Sequence, residues 1–282
     1  AVEPRPVLPG GKRRSRQSWK TPLLFALMVL IAVVMLYPFY FMIDTSLKSN
    51  DQYLHGGGHS LVSWTLLSQA LPWGQQLVNS LIVCTAAILI ILIVASLAGF
   101  AFAKLSFRTS GFVLTAVVAA MLIPVQSIII PVYVNIARLH LLNTYVGAVL
   151  VYAALGTPFA TFLMTAYYRS IPDDVVEAGV VDGLSYFSVF RRIALPLSVP
   201  ALITITVLQF IQIWDDLLVG LLFLQNPAQR TITVGLGALA AGRTTDIPVL
   251  MAGSLLSAIP AIMVYLFFQR FLVNGLTAGI SK

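Results

Sequence analysis

Residues 77–103 contain no charged side chain, and at about 1.5 Å per residue a helix over them outspans the roughly 30 Å hydrocarbon core of a bilayer. Five more stretches share this character, near 21–43, 111–136, 144–168, 199–223 and 249–271. Each is rich in Leu, Ile, Val, Ala and Phe, with no Lys or Arg in its central part. A central Lys or Arg would cost about 2.5–3.5 kcal/mol on insertion, so their absence points to spanning helices and not merely buried ones. The chain is 59% hydrophobic and 10% charged, against about 25% charged in soluble domains. These features predict an all-α integral membrane protein with six transmembrane helices.

Basic residues orient the spans. With the N-terminus in the cytoplasm, Arg5, Lys12, Arg13, Arg14, Arg16, Lys20, Lys104, Arg108, Arg169, Arg191, Arg192, Arg270 and Lys282 fall inside, and Lys48, Arg138, Arg230 and Arg243 fall outside. Both termini are therefore expected in the cytoplasm. The net charge of +7 needs no nucleic-acid partner, because it follows from this asymmetry. The reading divides the chain into a cytoplasmic tail (1–20), a first spanning helix with an outer loop (21–76), a core of five spanning helices (77–271) that includes an inner loop at 169–198, and a cytoplasmic C-terminal tail (272–282). The first span is too long for a secretory signal core and no small-residue cleavage pattern follows it, so it reads as retained. Cys84, the single cysteine, has no intrachain partner and reads as a packing residue.

In the outer loop 44–76, His55 and His59 are four apart, but the three glycines between them oppose the helix that would align a metal pair and favour a flexible loop. The turn 137–143 is short enough to join spans three and four as antiparallel neighbours. The outer segment 224–248, rich in Gly, Thr and Ala, is of a length that usually carries function or is disordered. Pro124, Pro131, Pro158 and Pro260 fall within spans. Each removes a backbone hydrogen bond, which a membrane tolerates where protein or a wet cavity takes up the freed carbonyl.

Gln126, Tyr133, Tyr152, Gln209, Gln212 and Trp214 lie at comparable depth and are the candidate translocation path. Amides and hydroxyls match sugar hydroxyls, and aromatic faces match a pyranose ring; the same side chains also serve as glue between helices. Asp215 and Asp216 lie towards the outer end of the fifth span, where a capping or gating role fits better than the midplane position of a proton- or sodium-coupling acid.

One inner segment stands apart from this apolar pattern. After the fourth span comes SIPDDVVEAGVVDGLSYFSVFRRIALP. Ser170 as a capping hydroxyl, Pro172, and the acids Asp173 and Asp174 at the positive end of the dipole predict a short helix over about 172–182. On its wheel Val175, Ala178, Gly179 and Asp182 form a small-residue face, with Asp173 and Glu177 opposite. Gly183 is placed to turn the chain, and a second short helix over 185–192 is expected to be closed by Pro196. Small residues and the carboxylate of Glu177 suit docking into a protein groove better than anchoring on lipid.

The spacing Glu177-Ala178-Gly179, Gly183, Ile193, Leu195-Pro196 resembles the cytoplasmic loop of membrane subunits of bacterial binding-protein-dependent ABC importers; Gly179 stands where that family usually has alanine. The stretches NSL at Asn79, MLIPVQ, LLNTYVGAVLVY, WDDLL at Trp214 and FQRFLVNGLTAGISK are similar to its carbohydrate-uptake branch, in particular the smaller maltose-type permease subunit. The resemblance weakens before residue 20 and over 50–76. It implies a coupling helix seated in a cleft of a cytosolic ATPase, with Glu177 and Asp182 as contacts and Gly183 as the turn. It also implies a second permease subunit, two ATPase subunits that carry ATP and Mg, an extracytoplasmic sugar-binding protein approached by 224–248, a disaccharide- or oligosaccharide-like substrate, and residence in the bacterial inner membrane.

GGKRRS is not a phosphate-binding loop, since it lacks the G-K-[ST] ending and the preceding glycine spacing. No H-E-x-x-H or G-x-S-x-G pattern occurs, so a non-catalytic subunit that binds no cofactor of its own is expected. The alternative is a self-contained secondary transporter coupled through Asp215 and Asp216, which would have no need of an ATPase-docking loop.

Overall fold

The computed structural model describes residues 20–242 and 246–277; the expected N-terminal tail and the last five residues lie outside them. Every regular element among the described residues is helical. The helices are α1 (Lys20–Ser46), α2 (Asn50–His55), α3 (Val62–Ala70), α4 (Trp73–Lys104), α5 (Ser110–Ala120), α6 (Val125–Arg138) and α7 (Tyr145–Ser170). They continue as α8 (Asp173–Val181), α9 (Tyr186–Val189), a π-helical turn (Phe190–Ala194), α10 (Leu195–Leu197), α11 (Val199–Trp214), α12 (Leu218–Phe223), α13 (Ile232–Ala240) and α14 (Ile247–Thr277).

The centre of the bundle is the pairing of α4 with α7. Val83, Ala87, Ile91 and Ala95 of α4 recur every four residues, so they form one buried stripe. That stripe meets Ala148, Ala153, Ala160 and Met164 of α7 within one apolar core. Alanine on both sides lets the two helices approach closely, which is how membrane helices gain packing energy. α11 packs on α4, α7 and α14, whereas α1 touches chiefly α14. The apolar window of α1 is unburied, and Leu23, Phe25 and Met28 are exposed.

Four of the expected spans are single helices long and apolar enough to cross a bilayer, and two are not. The third is broken: α5 and α6 meet at 98° across residues 121–124. Pro124 stands before α6 in an extended conformation, and a residue preceding proline is driven out of the helical region. The fifth begins with a 71° bend between Tyr186–Leu197 and Val199–Trp214 and ends at Trp214, short of the expected 223. The sixth is longer than expected, since α14 runs to Thr277 into the expected C-terminal tail.

Segment 44–76, expected as an outer loop, is no plain loop, because it holds α2 and α3. Ser49 closes a reciprocal capping box with Gln52 at the start of α2. His55 and His59 turn to different carboxylates, Asp51 at 2.9 Å and Asp44 at 3.0 Å. Segment 224–248 also folds: α13 packs back onto α4 and α14, with Ile232, Val234 and Leu236 buried.

Candidate functional site: a polar cavity and an exposed acidic helix

Two features could carry function, one inside the bundle and one at its end. The first is a cavity of about 510 Å³ between α6, α7 and α11, bordered at one end of the lining by Asp216 and Val219. Its walls are mostly apolar, including Ile129, Val132 and Phe159, and Tyr152, Gln209, Gln212 and Asp216 are its polar lining. The Tyr152 hydroxyl donates to Asp216 Oδ1 at 2.9 Å, and that oxygen also accepts the Val219 N–H at 2.8 Å. Asp216 therefore caps α12 while facing the cavity. Pro158 also borders it, next to Ala154, whose carbonyl the proline ring leaves without its helical donor. Gly156 lets the Gln209 amide lie against α7, since a Cβ there would stand 2.4 Å from Gln209 Oε1. A cavity with apolar walls and a few convergent donors and acceptors suits a neutral polyhydroxyl ligand.

The six expected path residues divide. Tyr152, Gln209 and Gln212 line the cavity together. Gln126 is exposed at the start of α6, and Tyr133 packs its ring on Phe223 at 5.8 Å. Trp214 is buried, stacked on Phe210 at 5.1 Å, with its indole N–H donating to the Ser257 carbonyl at 3.0 Å. It is a core residue, and none of these last three borders the cavity. Asp215 is exposed at the C-cap of α11. Sequence reasoning missed the helix α12, and with it the reason Asp216 turns inward.

The second feature is α8. Its tether is Lys104, at the end of α4, whose ammonium bonds Asp173 Oδ1 at 2.6 Å and the Ile171 carbonyl. Asp173 and Asp174 occupy the first turn, where the dipole favours them. The helix ends in a paired closure: Leu184 N–H donates to the Gly179 carbonyl and Gly183 N–H to the Val180 carbonyl, each at 3.0 Å. Gly183 adopts φ +84° there, a conformation side chains resist. Ser185 then caps α9 by accepting the Ser188 N–H at 3.3 Å.

Three local expectations are corrected. Ser170 caps nothing, because its hydroxyl donates back to the Tyr167 carbonyl within α7 and Pro172 takes the N-cap position of α8. Pro196 does not close the second helix, which runs on to Leu197 before the bend at Ser198. Gly179 does not share the outer face: it and Val176 are the buried stripe of α8, while Val175, Glu177, Ala178 and Asp182 all remain exposed. A nine-residue helix lying on a bundle buries one narrow stripe, so both the small-residue side and the acidic side stay outside. A Cβ on Gly179 would stand 3.1 Å from Ile193 Cδ1 and Val189 Cγ2. The motif thus separates into presenters, Glu177, Ala178 and Asp182, and a scaffold of Gly179, Gly183, Ile193 and Leu195; Ile193 and Leu195 are half-buried and Pro196 is exposed. The scaffold stands on an aromatic cluster in which Phe100 lies 5.7 Å from Tyr168 and 5.3 Å from Phe190.

Known proteins share this sequence and fold. The family described as binding-protein-dependent transport system inner membrane component matches residues 95–277. A probable ABC transporter permease protein of Pyrococcus horikoshii is 33% identical over 87% of this chain and 92% of its own length. A trehalose/maltose transport system permease protein of Thermococcus litoralis is 31% identical, covering 90% of this chain and 94% of its own. A chain in the crystal structure of a bacterial ABC transporter involved in the import of the acidic polysaccharide alginate superposes with a TM-score of 0.78 at 22% identity, over 91% of this chain and 98% of that one.

Proposed function

The chain belongs to the family of binding-protein-dependent transport system inner membrane components, and on that premise we propose that it is the permease subunit of an ATP-driven sugar importer. It forms half of the translocation path, and a second permease subunit supplies the other half across the open side of the α6–α7–α11 cavity. Tyr152, Gln209, Gln212 and Asp216 are its sugar-facing groups. Two cytosolic ATPase subunits carry the ATP and Mg, and α8 is the lever on which one of them acts, with Glu177 and Asp182 as its contacts. An extracytoplasmic binding protein delivers a disaccharide- or oligosaccharide-like substrate to the opposite end, near α13. Both termini lie in the cytoplasm, and the membrane is the bacterial inner membrane.

The observation that carries this reading is the build of the loop at 171–198. A carrier driven by an ion gradient has no use for an exposed acidic helix held rigidly on the bundle by Lys104, Gly179 and an aromatic base. The relatives' names support the substrate class: besides the trehalose/maltose permease protein, a diacetylchitobiose uptake system permease protein of Streptomyces coelicolor is 26% identical over 91% of this chain and 87% of its own. The test is uptake into proteoliposomes holding the chain with its cognate partner subunits, using a panel of labelled disaccharides and oligosaccharides. Uptake is expected to require internal ATP and external binding protein and to survive a protonophore. Uptake that ignores ATP and follows an imposed proton gradient would contradict the proposal and turn attention to Asp215 and Asp216.

A further inference from the structure

The end of the bundle that carries α8 sorts its charges. Its carboxylates, Asp173, Asp174, Glu177 and Asp182, all lie on α8 or at its C-cap. Around it stand Arg108, Arg169, Arg191 and Arg192, all exposed. Lys104 pairs with Asp173 there, and none of these four arginines is paired with a carboxylate among the described residues.

Arg191 and Arg192 belong to the segment Tyr186–Leu197, which lies at 71° to α11. If α11 crosses the bilayer, this segment lies nearer to the membrane plane than to its normal. Val189, Phe190 and Ala194 are its buried stripe. Exposed groups flank that stripe: Tyr186 is 51% exposed, Phe187, whose ring leans on Phe190 at 6.1 Å, 64% and Leu197 49%, and the two arginines are exposed as well. Leu197 leads into Val199, 46% exposed at the start of α11, so the apolar surface continues from the segment into the flank of the spanning helix. α8, by contrast, presents acids and small residues.

We propose that Tyr186–Leu197 is a binding belt for anionic phospholipid headgroups, in which Arg191 and Arg192 hold lipid phosphate and Tyr186 and Phe187 sit at headgroup level. Guanidinium groups pair with phosphate through a two-pronged geometry, aromatic rings favour the membrane–water boundary, and exposed arginines near an anionic leaflet gain from its surface potential. The inference goes beyond the importer reading, because it concerns lipid and not the ATPase. It gives the loop two attachments of opposite charge: α8 faces protein, and the segment after Gly183 is held at the bilayer surface as a pivot.

The experiment uses the assembled importer in nanodiscs and photoactivatable phosphatidylglycerol and phosphatidylcholine probes, with the labelled peptides read by mass spectrometry. The phosphatidylglycerol probe is expected to label 186–197 in preference to the phosphatidylcholine probe, with the preference lost at high salt. In R191Q/R192Q, binding should fall by about fivefold for each arginine removed, with the ATPase subunits still bound. Equal labelling by the two probes, or unchanged labelling in the variant, overturns the proposal. So does release of the ATPase subunits by R191Q/R192Q with lipid labelling intact, which would place the arginines against protein.

Discussion

The two ends of the bundle each carry a short helix outside the spans, and they are built in opposite ways. α8 buries one stripe, Val176 and Gly179, and leaves its charged sides in the open. α13 is absorbed into the bundle: Ile232 N–H donates to Ser80 Oγ at 2.9 Å, Thr233 Oγ1 donates to the Trp214 carbonyl at 2.7 Å, and Asn79 holds the strand of chain before it. An element proposed to be grasped by another protein keeps its polar groups available, whereas one packed into the bundle spends them internally. The contrast predicts that substitutions at the α13 end act on stability and those on the α8 surface act on coupling.

Asn79→Ala should do the greatest damage. The Asn79 amide donates to the carbonyls of Ala228 and Arg230 and accepts from the Tyr145 hydroxyl at 2.8 Å. Truncation strands the Tyr145 hydroxyl and the Arg230 carbonyl in a part-buried site, while Gln75 still serves Ala228, and should cost about 3 kcal/mol, read as a lower melting midpoint of the purified complex. Gly235→Ala comes next. Its Cβ would stand 2.0 Å from Oε1 of the buried Gln76, and forced repacking of that kind costs about 1–3 kcal/mol. A melting midpoint indistinguishable from the native one in both variants would mean that α13 is not integrated into the bundle.

At the other end the same chemical changes should be mild. Gly183→Ala must hold φ near +84°, a cost of about 1–2 kcal/mol. The surrounding space is open, so Gly183→Asn, which tolerates that region better, should recover much of the loss. Gly179→Ala asks the methyl ends of Ile193 and Val189 to yield by a few tenths of an ångström, a cost offset by the roughly 1 kcal/mol gained on replacing glycine within a helix, so the net change should be small. If Gly179→Ala proved as damaging as Gly235→Ala, α8 would be as deeply integrated as α13 and the contrast would fail.

Much of this was legible in the sequence because hydropathy and charge act at the level of whole segments. Four spans, the turn at Gly183 and the helix over 173–181 came through that way. Breaks inside apolar segments did not. Residues 121–124 are as greasy as their neighbours, and only Pro124 hinted at the 98° corner. The inward turn of Asp216 depends on α12 starting afresh after Trp214, which composition alone does not mark. Which face of a helix meets which neighbour was least legible: Trp214, expected on the path, points instead at Phe210 and the Ser257 carbonyl, and Gly179, expected outside, faces Ile193. These orientations are set by packing against other elements, Trp214 against α14 and Gly179 against the π-helical turn beyond Gly183.

If α8 transmits the work of a separate ATPase, sugar-stimulated ATP hydrolysis by the reconstituted importer must depend on it, and the importer carrying Glu177→Lys with Gly183→Pro puts this to the test. Stimulation and uptake should then fall together to background while the subunits still insert and assemble in the membrane. Native stimulation in the variant, or uptake that persists without ATP, would contradict it.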